Sequence, residues 1–271
     1  MEISTPLMLG LLAVASFGLA YLGSSVGLVL GQFRVPLLVW WLASPLAGLA
    51  TSLAISTVGA LVGAVRHATD GRVRPRLLLT VGVPSGLAAY AATQFAGSVD
   101  ERLLEAVIGV VLVVSGGFLL RPQRGDDKPA SAAESSTQAP VVRRGTLIAE
   151  LLIGVVLGTL TAFSGLLLGT LRLPLLLRFT DTGARAAVGS NMAIGALTGL
   201  LVGVSTLLEG HVDLLTFSVL APATLLGSAL GARATGRMSR GALRRLIAVM
   251  LVIVGLWMAG AALESLLRAT A

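Results

Sequence analysis

The chain has 271 residues, 55% of them hydrophobic and only 12% charged, a balance that a soluble domain of this size could not solvate. Its formal net charge of +7 would suit a nucleic-acid partner, but the basic residues are scattered at the ends of apolar segments and follow membrane topology, so no nucleic acid is expected. Cysteine is absent and His67 and His211 are the only histidines, which excludes disulfide and thiol chemistry, argues against a His/Cys metal site and calls for no cofactor.

Met1-Glu2-Ile3-Ser4 lacks a basic leader and runs directly into the first apolar segment, which reads as a span rather than a cleaved signal. A bilayer core about 30 Å thick takes roughly 20 apolar residues per helix. Candidate segments follow at 6–30, 35–48, 49–65, 77–97, 103–120, 147–168, 173–177 with its flanks, 187–208, 214–232 and 246–267. The chain holds 33 glycines, which in membrane helices signal close packing or broken helices. Pro122 to Val142 is rich in Pro, Ser, Ala, Gln and charge, too polar to bury, and reads as a disordered linker.

The two sides of that linker are related. Residues 27–38 and 165–176 both fit G-L-x-L-G-x-x-R-x-P-L-L, and Ala50-Thr51-Ser52-Leu53-Ala54-Ile55 aligns with Gly189-Ser190-Asn191-Met192-Ala193-Ile194. Pro84 then pairs with Pro222, and Gly116 with Gly255. The chain is a tandem duplication, divided as a first membrane repeat over 1–120, a cytoplasmic linker over 121–146 and a second repeat over 147–271.

Equivalent loops carry opposite charge. Loop 66–76 holds Arg66, Arg72, Arg74 and Arg76, whereas its counterpart Glu209 to Asp213 has no Lys or Arg. Loop 98–105 holds Arg102 alone, whereas 233–245 holds Arg233, Arg237, Arg240, Arg244 and Arg245. By the positive-inside rule the repeats have inverted topology, with the linker inside and the C-terminus outside. Arg143 and Arg144 precede the second motif, and Arg178 and Arg185 follow it, all on the cytoplasmic side, so segment 147–177 enters and returns. The expected fold is all-α: two inverted repeats, each a broken or re-entrant Gly/Pro hairpin followed by three transmembrane helices.

In inverted-repeat transporters the substrate lies where the halves meet, at broken helices whose amides face an anion. The repeated motif is the candidate. Gly31 and Gly169 permit close backbone approach, Pro36 and Pro174 suit the first turn of the helix that follows, and Arg34 and Arg172 stand at matching positions away from other charge. A guanidinium stays charged and pairs with sulfonate, sulfite or carboxylate oxygens; the competing reading is snorkelling to an interface. Thr51, Ser52, Ser190 and Asn191 are expected to open the next helices, either as caps or as ligands, and Gln32 and Thr170 flank the site. Glu150 is the nearest approach to an acid at depth, and reads as an ordinary N-terminal helix carboxylate.

These hairpins, ending in Val35-Pro36-Leu37-Leu38 and Leu173-Pro174-Leu175-Leu176 and each followed by an alanine-rich stretch, resemble the TauE/SafE family, proposed exporters of sulfite and organosulfonates. The resemblance covers nearly the whole chain outside the linker. It implies an inner-membrane exporter of a small anion, sulfite or an organosulfonate such as sulfoacetate, with the bilayer as surroundings, no enzymatic activity and an oligomeric state left open, a homodimer included. The chain departs from the family pattern by placing Val29-Leu30-Gly31 and Leu167-Leu168-Gly169 where three glycines are usual, and Arg34 and Arg172 where aliphatic residues are usual. A passive anion channel is the main alternative. An intramembrane enzyme is a weaker one, because no catalytic His or carboxylate pair is visible at depth.

Overall fold

The computed structural model describes residues 5–93, 113, 117, 144–164, 169–180, 182–208, 210–237 and 240–270. Among them every regular element is helical. The first-half span expected at 103–120 and the linker lie outside the described residues, apart from Val113 and Gly117, which are helical.

The chain opens with α1 (Thr5–Val26), which stops at Gly27 in the left-handed region with φ of 73°. One 3-10 turn (Gly31–Phe33) leads into α2 (Val35–Leu42), where Pro36 sits in the first turn and needs no amide partner. Ala43, with a positive φ of 49°, turns the chain into α3 (Pro45–Thr69). A short α4 (Pro75–Leu77) runs through a π turn (Leu78–Gly82) into α5 (Val83–Thr93). Pro84 explains the widened turn, because its ring and missing N–H disturb the hydrogen bonds one turn upstream. The second half repeats the pattern as α6 (Arg144–Ser164), α7 (Gly169–Phe179), α8 (Ala184–Leu208), α9 (Leu214–Arg237) and α10 (Arg240–Thr270).

Four helices are long and apolar enough to cross a membrane, within Thr5–Val26, Ala47–Thr69, Ala184–Gly203 and Leu214–Thr235. At about 1.5 Å per residue, the 8 residues of α2 and the 11 of α7 reach about 12 and 17 Å, so neither crosses alone. The expected segment 35–48 is therefore divided: α2 ends at Leu42, and α3 starts at Pro45 instead of residue 49, because Ser44 accepts from the amide of Ala47 as an N-cap. Pro174 also departs from expectation. It lies inside α7, since that helix already begins at Gly169.

Polarity is arranged for lipid. Leu7, Val14, Trp40, Leu226 and Leu256 lie exposed on the outside, while Arg34, Arg172, His67, Glu150 and many serines and threonines are buried. Helix pairing crosses between the halves: α1 lies along α9, α6 along the π turn and α5, and α3 along α8. Small residues allow this. Gly227 and Gly231 of α9 rest on the carbonyls of Phe17 and Tyr21, and Gly154 and Gly158 of α6 on those of Val81 and Ser85, both pairs at G-x-x-x-G spacing. One apolar cluster contains Leu28 and Leu30 from the first hairpin break and Leu171, Leu173 and Leu176 from α7. Both hairpins therefore insert into a shared core.

A Cβ at Gly231 would overlap the Tyr21 carbonyl, whereas one at Gly10 meets nothing within 4 Å. Gly231→Leu is expected to cost about 1–3 kcal/mol through overpacking. Thermal unfolding in detergent should show a lowered melting temperature for Gly231→Leu and an unchanged one for Gly10→Ala.

Candidate functional site

Arg34 caps α2, and Arg172 lies in the first turn of α7. Both are buried, at 4% and 0% exposure, so neither guanidinium snorkels to a surface. Arg34 donates from Nη2 to the Ser52 carbonyl (3.1 Å) and to Ser56 Oγ (2.7 Å), and from Nη1 to Thr224 Oγ1 (3.4 Å). Arg172 donates from Nη2 to Ser85 Oγ (3.3 Å). Thr224 and Ser85 follow the helix prolines Pro222 and Pro84, so each hairpin arginine reaches into the opposite half. Arg172 thus finds its partner in the opposite half, while Arg34 draws one from there and two, Ser52 and Ser56, from α3 of its own half.

Charge is the unfinished part. The ion pairs formed among the described residues, Arg66–Asp70, Arg72–Asp70 and Arg76–Glu150, include neither hairpin arginine. Nε of Arg34, and Nε and Nη1 of Arg172, are buried without a hydrogen-bond partner. Neutral hydroxyls and carbonyls do not cancel a charge whose desolvation costs several kcal/mol. An oxyanion at this point would supply both the acceptors and the opposite charge.

The other expected site residues divide into two jobs. Ser52 Oγ donates to the Gly31 carbonyl (3.3 Å), while Asn191 Nδ2 donates to the carbonyls of Gly169 (2.8 Å) and Gly27 (2.6 Å). The bond to Gly27 satisfies a carbonyl left open past the end of α1, while Ser52 adds a second donor to a Gly31 carbonyl that also accepts from the Arg34 amide. Thr51 Oγ1 accepts from the amide of Asp213 and Ser190 Oγ from that of Arg74, each at 2.9 Å, fastening the residue that precedes α9 or α4. None of the four opens its helix as expected. Pro45 and Ala184 start α3 and α8, placing these residues roughly two turns inside. Gly31 and Gly169 are close-approach positions, since a Cβ would collide with Ser56 Oγ at the first and come within 3.1 Å of Asn191 Nδ2 at the second. Thr170 is buried in α7, and the side chain of Gln32 lies outside the described residues. Glu150 is a buried ion-pair partner, with Oε1 3.0 Å from Arg76 Nη2.

Ser56, Ser85 and Thr224 escaped the sequence reading. Hydroxyls in apolar helices usually bond their own preceding turn, as Thr57 and Thr161 do here, and nothing in sequence separates those from hydroxyls aimed across an interface. A cavity of about 20 Å³ adjoins Arg34, lined also by Ser24, Ser56, Met192, Thr224 and Ser228. It has room for about one water.

A family model described as sulfite exporter TauE/SafE matches residues 11–258. No curated protein and no solved structure matches the chain.

Asn191→Leu leaves the Gly27 and Gly169 carbonyls unpaired, each costing about 1–3 kcal/mol. It should unfold well below wild type in a detergent melt. Thr161→Val, which loses a bond within its own helix, should lose less than half as much.

Proposed function

We propose, since the chain belongs to the sulfite exporter TauE/SafE family, that it exports a sulfur oxyanion, sulfite or an organosulfonate such as sulfoacetate, across the cell membrane by alternating access between two inverted repeats. The observation that carries this reading is the pair of buried guanidinium groups at matching hairpin positions, neither joined to a carboxylate among the described residues. Helix packing supports the repeat arrangement, because α1 on α9 and α6 on α5 are the same contact seen from either half. The opposed charges of loops 66–76 and 209–213 support the inversion.

In this reading the anion enters between the hairpins and meets Arg34 and Arg172 near the first turns of α2 and α7. Free amides and the helix dipole there favour negative charge. Gly31 and Gly169 let the backbone approach, and Ser52 and Asn191 keep the broken segments from collapsing into competing hydrogen bonds. Thr51 and Ser190 hold the loop ahead of the third helix of the opposite repeat, so movement of one hairpin is passed to the other half. The water-sized cavity beside Arg34 fits an occluded form of a carrier better than an open pore. Repeats 1–120 and 147–271 are the moving units, joined by the cytoplasmic linker 121–146. Outward movement of one negative charge from a negative interior is favoured by roughly 2.3 kcal/mol per 100 mV, enough to drive export without a coupled ion.

Two experiments test this. In proteoliposomes loaded with sulfite or sulfoacetate, Arg34→Ala and Arg172→Ala should each lower efflux at least tenfold, following the cost of about 2 kcal/mol or more for deleting a buried charged partner; wild-type flux in both variants would remove the arginines from the pathway. Topology is read in the naturally cysteine-free chain with single cysteines at two exposed positions, Ala68 and Leu214. An impermeant maleimide should label Leu214→Cys in intact cells and Ala68→Cys only after permeabilisation, and labelling from the same side would exclude inversion.

A further inference from the structure

The two arginines are equivalent in sequence but not in surroundings. Extending the alignment of Ala50–Ile55 with Gly189–Ile194 by one residue sets Ser56 opposite Gly195. Ser56 supplies the shortest bond to Arg34, 2.7 Å from Nη2, and Gly195 has no hydroxyl to offer. Among the described residues Arg34 consequently makes three side-chain hydrogen bonds and Arg172 one, at 3.3 Å, although both are buried. A guanidinium carries five N–H donors. Arg172 retains an unpartnered Nε and Nη1, whereas Arg34 retains only Nε.

Packing does not impose this difference. A Cβ at Gly195 would lie 3.7 Å from Val29 Cγ2, an ordinary contact, so a serine there has room. The secondary structure adds to the asymmetry. Arg172 belongs to the first turn of an 11-residue helix, while Arg34 lies at the end of a 3-10 turn with its own amide bonded to the Gly31 carbonyl at 2.9 Å. Unbonded guanidinium nitrogens therefore lie in the first turn of a helix at Arg172, where the helix dipole favours an anion.

We infer that Arg172 alone takes the anion, as the sulfonate group of a monoanion, while Arg34 is a positioning residue held to the protein by Ser56. This rests on the export reading and narrows it to monoanions, such as bisulfite or a simple alkanesulfonate, setting aside sulfoacetate, whose sulfonate and carboxylate make it a dianion. One available guanidinium neutralises one charge. A dianion would leave its second anionic group without guanidinium donors unless Arg34 also gave up its partners, and Ser56 is the partner that holds it most closely.

The test measures binding of methanesulfonate, a monoanion, and 1,2-ethanedisulfonate, a dianion, to the purified full-length chain by calorimetry, with melting temperature and monodispersity recorded for each variant. Wild type should bind methanesulfonate at least as tightly as ethanedisulfonate. Gly195→Ser gives Arg172 the missing partner and should weaken methanesulfonate at least tenfold. Ser56→Ala releases Arg34 and should strengthen ethanedisulfonate about tenfold, a gain that a merely structural role for Ser56 would not produce. Unchanged methanesulfonate binding in a folded Gly195→Ser, or no gain for ethanedisulfonate in Ser56→Ala, overturns the division of roles. If wild type binds neither sulfonate, the export reading falls with it; if wild type binds methanesulfonate, Arg172→Gln abolishes this and Gly195→Ser does not alter it, the division alone falls.

Discussion

A guanidinium enclosed by apolar helices must be given hydrogen-bond acceptors, and at Arg34 and Arg172 these come from neighbouring helices: Thr224 and Ser85 in the opposite half, joined at Arg34 by Ser52 and Ser56 of its own half. That requirement organises the structure around it. Each arginine sits at a helix break because an unbroken helix of this length would carry it through the lipid-facing layer, whereas a short arm set between longer helices can place it inside. Its partners must then arrive on helices that lie against the hairpin, which brings α5 and α9 into the centre. Hydroxyls satisfy donors without cancelling charge, so among the described residues the charge of each guanidinium is left without a carboxylate partner.

The broken backbone makes a second demand. The Gly27 carbonyl, past the end of α1, cannot reach water in the interior of a bilayer, and Asn191 supplies its donor; Ser52 adds a second donor to the Gly31 carbonyl, which also accepts from the Arg34 amide. Asn191 is longer than Ser52 and spans both hairpins, joining the Gly27 carbonyl of one to the Gly169 carbonyl of the other. Close packing is then achieved by removing side chains. The glycines of α6 and α9 rest on neighbouring carbonyls, so the helices that carry Ser85 and Thr224 approach the hairpin arms closely. A bond from a hydroxyl across an interface is only as short as the backbones allow.

A protein built this way keeps its polar groups inside and its apolar groups outside, and its stability and transport draw on the same contacts. The bonds from Thr51 to the Asp213 amide and from Ser190 to the Arg74 amide are matched across the halves, coupling each α3 or α8 core helix to the loop preceding the third helix of the other repeat. The Ser56 and Gly195 difference shows where such matching stops. One hydroxyl present in one half and absent from the other changes what two otherwise equivalent arginines have free.

Family membership, the helical membrane character and the placing of Arg34 and Arg172 inside apolar runs were legible in the sequence, because composition, motif spacing and a charge inside an apolar run are local properties of the chain. Helix starts were less so. Thr51, Ser52, Ser190 and Asn191 resemble caps in sequence, yet Ser44-Pro45 already opens α3, and α8 opens at Ala184. Whether a serine or threonine returns to its own helix or crosses to another depends on which backbones lie opposite, so Ser56, Ser85 and Thr224 became site residues only when tertiary packing set them beside Arg34 and Arg172. The sequence by itself determined that two arginines stand at equivalent positions in apolar Gly/Pro segments, and left burial and snorkelling both open. Tertiary structure decided how many of their donors remain free, because hydrogen bonds across an interface are fixed by distances between helices that no local pattern encodes.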